Sequence, residues 1–141
     1  MKVKGAKKQT IGVFYESKNG FKLEQHDDVS IQLLQEYVQG TITRLDSTNK
    51  EVKFQLYLNE KGLCGEATLE PNDLAEDALQ DFDFITTVLQ SVGDEFERHS
   101  CRGTVVCART NKAGKIIGLR KEDCIALQHA VEESIARQNE S

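Results

Sequence analysis

Thr10-Ile11-Gly12-Val13-Phe14-Tyr15 and Phe21-Lys22-Leu23-Glu24-Gln25, joined through Lys18-Asn19-Gly20, form the stretch whose reading decides the fold. Asn-Gly between two apolar runs signals a β-hairpin, because a tight turn needs a residue that accepts positive φ. Strand alternation then sets Ile11, Val13 and Tyr15 on one side. Downstream, Ile42 to Leu45 and Val52 to Leu58 repeat the pattern around Ser47-Thr48-Asn49-Lys50. There Val52, Phe54, Leu56 and Leu58 are expected inward, and Lys53, Gln55 and Tyr57 outward. A third pair is expected from Gly103 to Ala108 and Lys115 to Leu119, turning through Asn111-Lys112-Ala113-Gly114.

Between the hairpins the apolar spacing changes to three and four residues, which predicts helices. Ile31, Leu34, Tyr37 and Val38 mark the first, with Asp27 or Asp28 as its cap and Gly40 as its stop. A short helix is predicted near Leu74 to Leu79, behind an Asn72 or Asp73 cap and just after Pro71. A longer one is predicted over Phe84 to Phe96, with Phe84, Val88, Leu89, Val92 and Phe96 as its stripe. The last runs from Lys121 to Arg137 with Cys124, Leu127, Val131 and Ile135 inward and Ala130 beside them. The expected class is α+β. Antiparallel hairpins pack with three to four helices in one domain over 1–141, with the acidic helical segment 70–98 as an insertion.

A chain of 141 residues can bury a core of its own, so the four cysteines are not needed as staples. No apolar run reaches the roughly 20 residues that cross a bilayer, and no signal-peptide core follows the basic start. A cytoplasmic protein with reduced Cys64, Cys101, Cys107 and Cys124 is therefore expected.

The net charge of −5 conceals an asymmetry. From Gly62 to Glu97 there are ten carboxylates and no Lys or Arg, a charge of −10; the remaining 18 cations and 13 carboxylates give +5. Arg98 to Lys121 contains no carboxylate. The acidic side predicts a partner with a basic surface, bound by Asp73, Glu76, Asp77, Asp81, Asp83, Asp94, Glu95 and Glu97 in a fast, salt-sensitive contact. The −10 and +5 regions also suit pairing between copies, a homo-oligomer. Arg102, Arg109, Lys112, Lys115 and Arg120 offer the alternative, a phosphate-binding face for a nucleotide ligand with Tyr57 or Tyr37 stacking on the base.

Catalytic and metal signatures are weaker. No C-x-x-C or H-x-x-x-H occurs, and Cys101 and Cys107, on one strand face, lie roughly 20 Å apart at about 3.3 Å per residue. Neither metal nor cofactor is expected. Ala113-Gly114-Lys115 is similar to the end of a phosphate loop, but Arg109 stands at the first glycine position and Ile116 replaces the hydroxyl. His26-Asp27-Asp28 is similar to a phosphohydrolase fragment without a second His/Asp pair downstream. The expectation is a protein that binds and does not catalyse, with a small phosphohydrolase using His26 as the remaining enzymatic reading.

Three stretches carry a family resemblance: Leu34 to Gly40 (LQEYVQG), Leu58 to Gly62 (LNEKG) followed by Asn72, and Gly103 to Val106 (GTVV) before Gly118 to Asp123 (GLRKED). They resemble a family of small uncharacterised proteins encoded by phages and conjugative elements. That family ends its helix in L-Q-x-x-V-G-G, so Gln39 stands where it has glycine. An acidic insertion over roughly residues 76 to 99 sets this chain apart. The resemblance implies a shared fold with no catalytic residues to carry over. It also implies a role such as stoichiometric inhibition of host defence, and the acidic side directs that expectation to a target that binds nucleic acid.

Overall fold

The computed structural model describes residues 8–16, 20–47, 49–61, 69–70, 72–82 and 102–139. β1 (Gln9–Phe14) and β2 (Phe21–His26) form the hairpin expected from Asn-Gly, with Phe14 opposite Phe21 and Gln9 opposite His26. Gly20 takes φ +71° at its close. β3 (Ile42–Leu45) and β4 (Gln55–Asn59) form the second, Leu45 facing Leu56. β5 (Val105–Thr110) lies between β1 and β4 and also pairs with the short β6 (Ile116–Ile117). The result is a six-stranded antiparallel sheet, ordered β2-β1-β5-β4-β3 with β6 off this path. Three helices accompany it among the described residues: α1 (Ile31–Val38), α2 (Asp73–Leu79) and α3 (Lys121–Asn139). The class is α+β, as expected. The helix predicted over Phe84 to Phe96 lies outside the described residues.

Both faces of the sheet are covered. On one, Phe14, Leu45, Phe54, Leu56, Leu58, Val105 and Cys107 pack with Ala75, Ala78 and Leu79 of α2 and Leu127 and Val131 of α3. On the other, Ile11, Val13, Tyr57, Val106, Ala108 and Ile116 pack with Val29, Leu34 and Val38 around α1. This second layer corrects the expectation for Tyr57. It does point away from Leu56, but the far face of the strand meets α1 and not water, so Tyr57 is 3% exposed. Its hydroxyl bonds to Thr110 Oγ1 at 2.5 Å, and the ring is not available to stack on a base.

The caps differ from the expected ones in an instructive way. Ser30, not Asp27 or Asp28, caps α1: its Oγ accepts from Leu33 N at 3.1 Å. Buried Val29 just ahead of the cap joins the core that contains Leu34, a hydrophobic staple that fixes where the helix starts. At the other end the left-handed residue is Gln39, φ +61°, and Gly40 N–H donates to Gln35 O in the six-to-one bond of a Schellman ending. Gly40 serves a different need: a Cβ there would lie 2.5 Å from Asn59 Nδ2, which donates to Val38 O and Gln39 O.

Asn72 caps α2 as expected, accepting from Ala75 N at 3.1 Å, and its amide also donates to Phe14 O and Gly103 O at 3.0 and 2.8 Å. One buried side chain thus ties α2 to β1 and to the segment entering β5. For α3 the expected stripe needs correcting. Leu127 and Val131 are buried, but Ile135 is 44% exposed, and the inward positions around them are Asp123 and Ser134. Both polar groups have partners there: Asp123 takes Arg120, and Ser134 Oγ donates to Asp77. Cys124, expected in the core, is half-buried.

Candidate functional site

The acidic set divides at the limit of the described residues. α2 presents Asp73, exposed, and Glu76 and Asp77, half-buried; with Gln80 they line a shallow depression of about 210 Å³. Asp77 is already engaged: Ser134 donates to it and Arg137 pairs with it at 2.7 Å. The Ser134 bond lowers its carboxyl pKa more than partial burial raises it, and Arg137 lowers it further. The backbone of Asp81 lies in the single 3-10 turn after α2, Gln80–Phe82. Its side chain, and Asp83, Asp94, Glu95 and Glu97, lie outside the described residues.

The five cations of the alternative site do not converge. Arg102 donates through Nη1 to Leu69 O at 2.7 Å. Arg109 donates through Nε to Gly118 O at 2.8 Å, on the Cys107 side of β5 as its parity requires. Arg120 forms a two-bond fork on Asp123, 3.0 and 2.8 Å, with a carboxylate 4% exposed. Lys112 and Lys115 remain exposed on the turn, Lys115 Nζ lying 3.9 Å from Asp28. Three of the five therefore hold the chain's own backbone or carboxylate, and the hairpin offers two lysines.

His26, Asp27 and Asp28 separate as well. His26 Nε2 lies 2.8 Å from Tyr37 Oη, while Asp27 takes Lys8 at 2.8 Å, a contact that holds its carboxyl below the usual range. Among the described residues no three His, Cys, Asp or Glu are placed to share a metal ion. Cys107 is buried, and burial, with Asp123 beside it, raises the pKa of the Cys124 thiol. Cys64 and Cys101 lie outside the described residues.

A polar cluster that the residue-by-residue reading passed over lies between β2 and α1. The Tyr15 hydroxyl donates to Glu24, and Tyr37, next to both, meets His26; the Tyr15 and Tyr37 rings stand edge to face at 6.4 Å. Burial raises both phenols, with Glu24 adding to the shift. Lys22, Glu24 and His26 alternate along β2 on this face, a period-two run of ionisable residues opposite Val13, Ile11 and Gln9. That alternation was the available signal. A further cleft of about 330 Å³ lies at the end of α1, lined by Gln39, Gly40, Thr41, Asn59, Glu60, Lys61 and Leu69. Its asparagine is spent on the α1 carbonyls and on Lys61 N.

No helix among the described residues is long and apolar enough to cross a membrane. No protein-family model, curated protein or solved structure matches the chain.

Proposed function

We propose that this protein acts by binding, presenting its acidic side to a basic surface of another protein that otherwise holds nucleic-acid phosphates. The observation that carries this is the run of ten carboxylates from Gly62 to Glu97 with no cation among them. Its one described helix, α2, packs through Ala75, Ala78 and Leu79 and leaves Asp73 exposed. Asp77 already holds the Arg137 guanidinium, the same chemistry a partner's arginine would use. The resemblance to small phage and conjugative-element proteins supports the direction of the proposal: a stoichiometric inhibitor of a host defence protein, which needs affinity and no active site.

Binding of this kind is steered by long-range charge and weakens as salt screens it. The test compares wild-type chain with a D73K/E76K/D94K/E95K/E97K variant as bait in a host lysate at low and high salt. Proteins held by the wild type at low salt, released at high salt and absent from the variant support the proposal. The same proteins held equally by the variant at low salt sink it.

A further inference from the structure

β2 is an edge of the sheet, since the strand order begins there and β1 is its one neighbour among the described strands. Which of its backbone groups face outward follows from one bond. Tyr15 N–H donates to Gly20 O at 2.9 Å, so the pair 15/20 is a hydrogen-bonded pair of the antiparallel ladder. Such pairs alternate, so 13/22, 11/24 and 9/26 are bonded pairs too. Lys22, Glu24 and His26 therefore spend their N–H and C=O groups on β1, and Phe21, Leu23 and Gln25 turn theirs away from it. Among the described residues no backbone group meets these six. A six-residue edge with an open row of donors and acceptors is a template for another strand.

We propose that this edge pairs with the β2 edge of a second copy, antiparallel about a twofold axis, with Leu23 opposite Leu23. The side chains select both the occupant and the register. Outward groups must meet outward groups, so the pairing can shift only in steps that keep Phe21, Leu23 and Gln25 in the bonded positions. With Leu23 opposite Leu23, Phe21 faces Gln25 and each Lys22 faces Glu24 of the other copy. The two opposite-charge pairs fall at non-bonded positions, where side chains approach most closely. The alternatives on either side place Lys22 against Lys22 or Glu24 against Glu24, like charges directly opposed. Lys22 is exposed and Leu23 half-buried, so both are accessible to a second chain. The contact is self-complementary and closes on itself as a dimer, whatever the acidic side binds.

Light scattering of the full chain from micromolar to millimolar concentration is expected to show the mass rise from 15.8 kDa to twice that value. L23P removes an outward N–H that β1 does not use, and should keep the far-ultraviolet circular dichroism while holding the chain at 15.8 kDa. K22E sets carboxylate against carboxylate twice and should weaken the dimer about tenfold, and K22E/E24K should restore it. Cysteine substitution fixes the register: L23C should cross-link two copies under mild oxidation beyond the wild-type background, and Q25C should not. A single 15.8-kDa species at every concentration overturns the proposal. A dimer indifferent to both L23P and K22E, equal cross-linking by L23C and Q25C, or growth into open polymers also overturns it.

Discussion

The cationic stretch from Arg102 to Arg120 and the carboxylates of α2 are both dense charge runs, yet the fold uses them differently. The hairpin surrounds β5, a central strand, and the loops at its ends leave carbonyls that need donors. Arg102 serves Leu69 O, Arg109 serves Gly118 O, and Arg120 clamps Asp123 at the start of α3. α2 takes Asn72 as its cap and commits Asp77 to α3, and it leaves Asp73 exposed in its first turn. Charge beside unpaired backbone becomes structural; Asp73, in the first turn of a short capped helix, stays exposed.

Substitutions that separate structural from available polar groups sharpen this contrast, and the largest effect belongs to the asparagine that joins the two regions. N72A leaves Phe14 O and Gly103 O without their donor in a site 4% exposed, besides removing the α2 cap. It should cost about 3 kcal/mol, read as a lower urea midpoint at unchanged slope. Next comes D123A, which strands the Arg120 fork and Arg120 N–H and should cost about 2 kcal/mol. K112A/K115A, in the same hairpin, should change stability by less than about 0.5 kcal/mol. Equal losses in those two variants would break the distinction.

Asp77 gives the contrast a pH signature. Its carboxyl is held below the ordinary aspartate value of 3.8, first by Ser134. A carboxyl lowered on folding contributes stability that is present above that ordinary value and lost as pH falls below it through the folded one. Thermal melting of the wild type should therefore drop more steeply below about pH 4 than that of D77N. A small gain is expected at the end of α1. Gln39 sits at φ +61°, where a side chain costs roughly 1–2 kcal/mol and glycine costs less strain but more chain entropy. Q39G should gain about 0.5 kcal/mol, measured by the same denaturation.

Much of the fold was legible because local rules agreed with the tertiary outcome. The first hairpin formed with Gly20 at positive φ, Asn72 capped α2, and the period-two runs became strands over part of their length, with Val52 to Phe54 staying outside β4 and β6 reduced to Ile116–Ile117. The misses have tertiary causes that local rules do not carry. Tyr57 was read as outward because alternation identifies two faces but not which of them meets water, and α1 covers the second. Ile135 fits the helical stripe, but hydropathy ignores a hydroxyl, that of Ser134, which finds a carboxylate across the α2–α3 contact. Ser30 displaced two aspartates because the staple between Val29 and the α1 core decides where the helix begins. In the candidate site, spacing could not say that three arginines would find acceptors within the chain. The acidic run was visible at once from the absence of Lys and Arg between Gly62 and Glu97, but not that Asp77 would find Arg137 and Ser134 on α3.

The proposed binding surface is the acidic side, and the arginines of the hairpin serve the fold. The direct measurement is retention of lysate proteins at low salt by two baits, D73K/E76K/D94K/E95K/E97K and K112E/K115E, each against wild type and each first shown to melt as a folded chain. Loss of the retained proteins in the first with no change in the second is the expected result. Retention unchanged in the first and lost in the second would contradict the account and move the site to the hairpin.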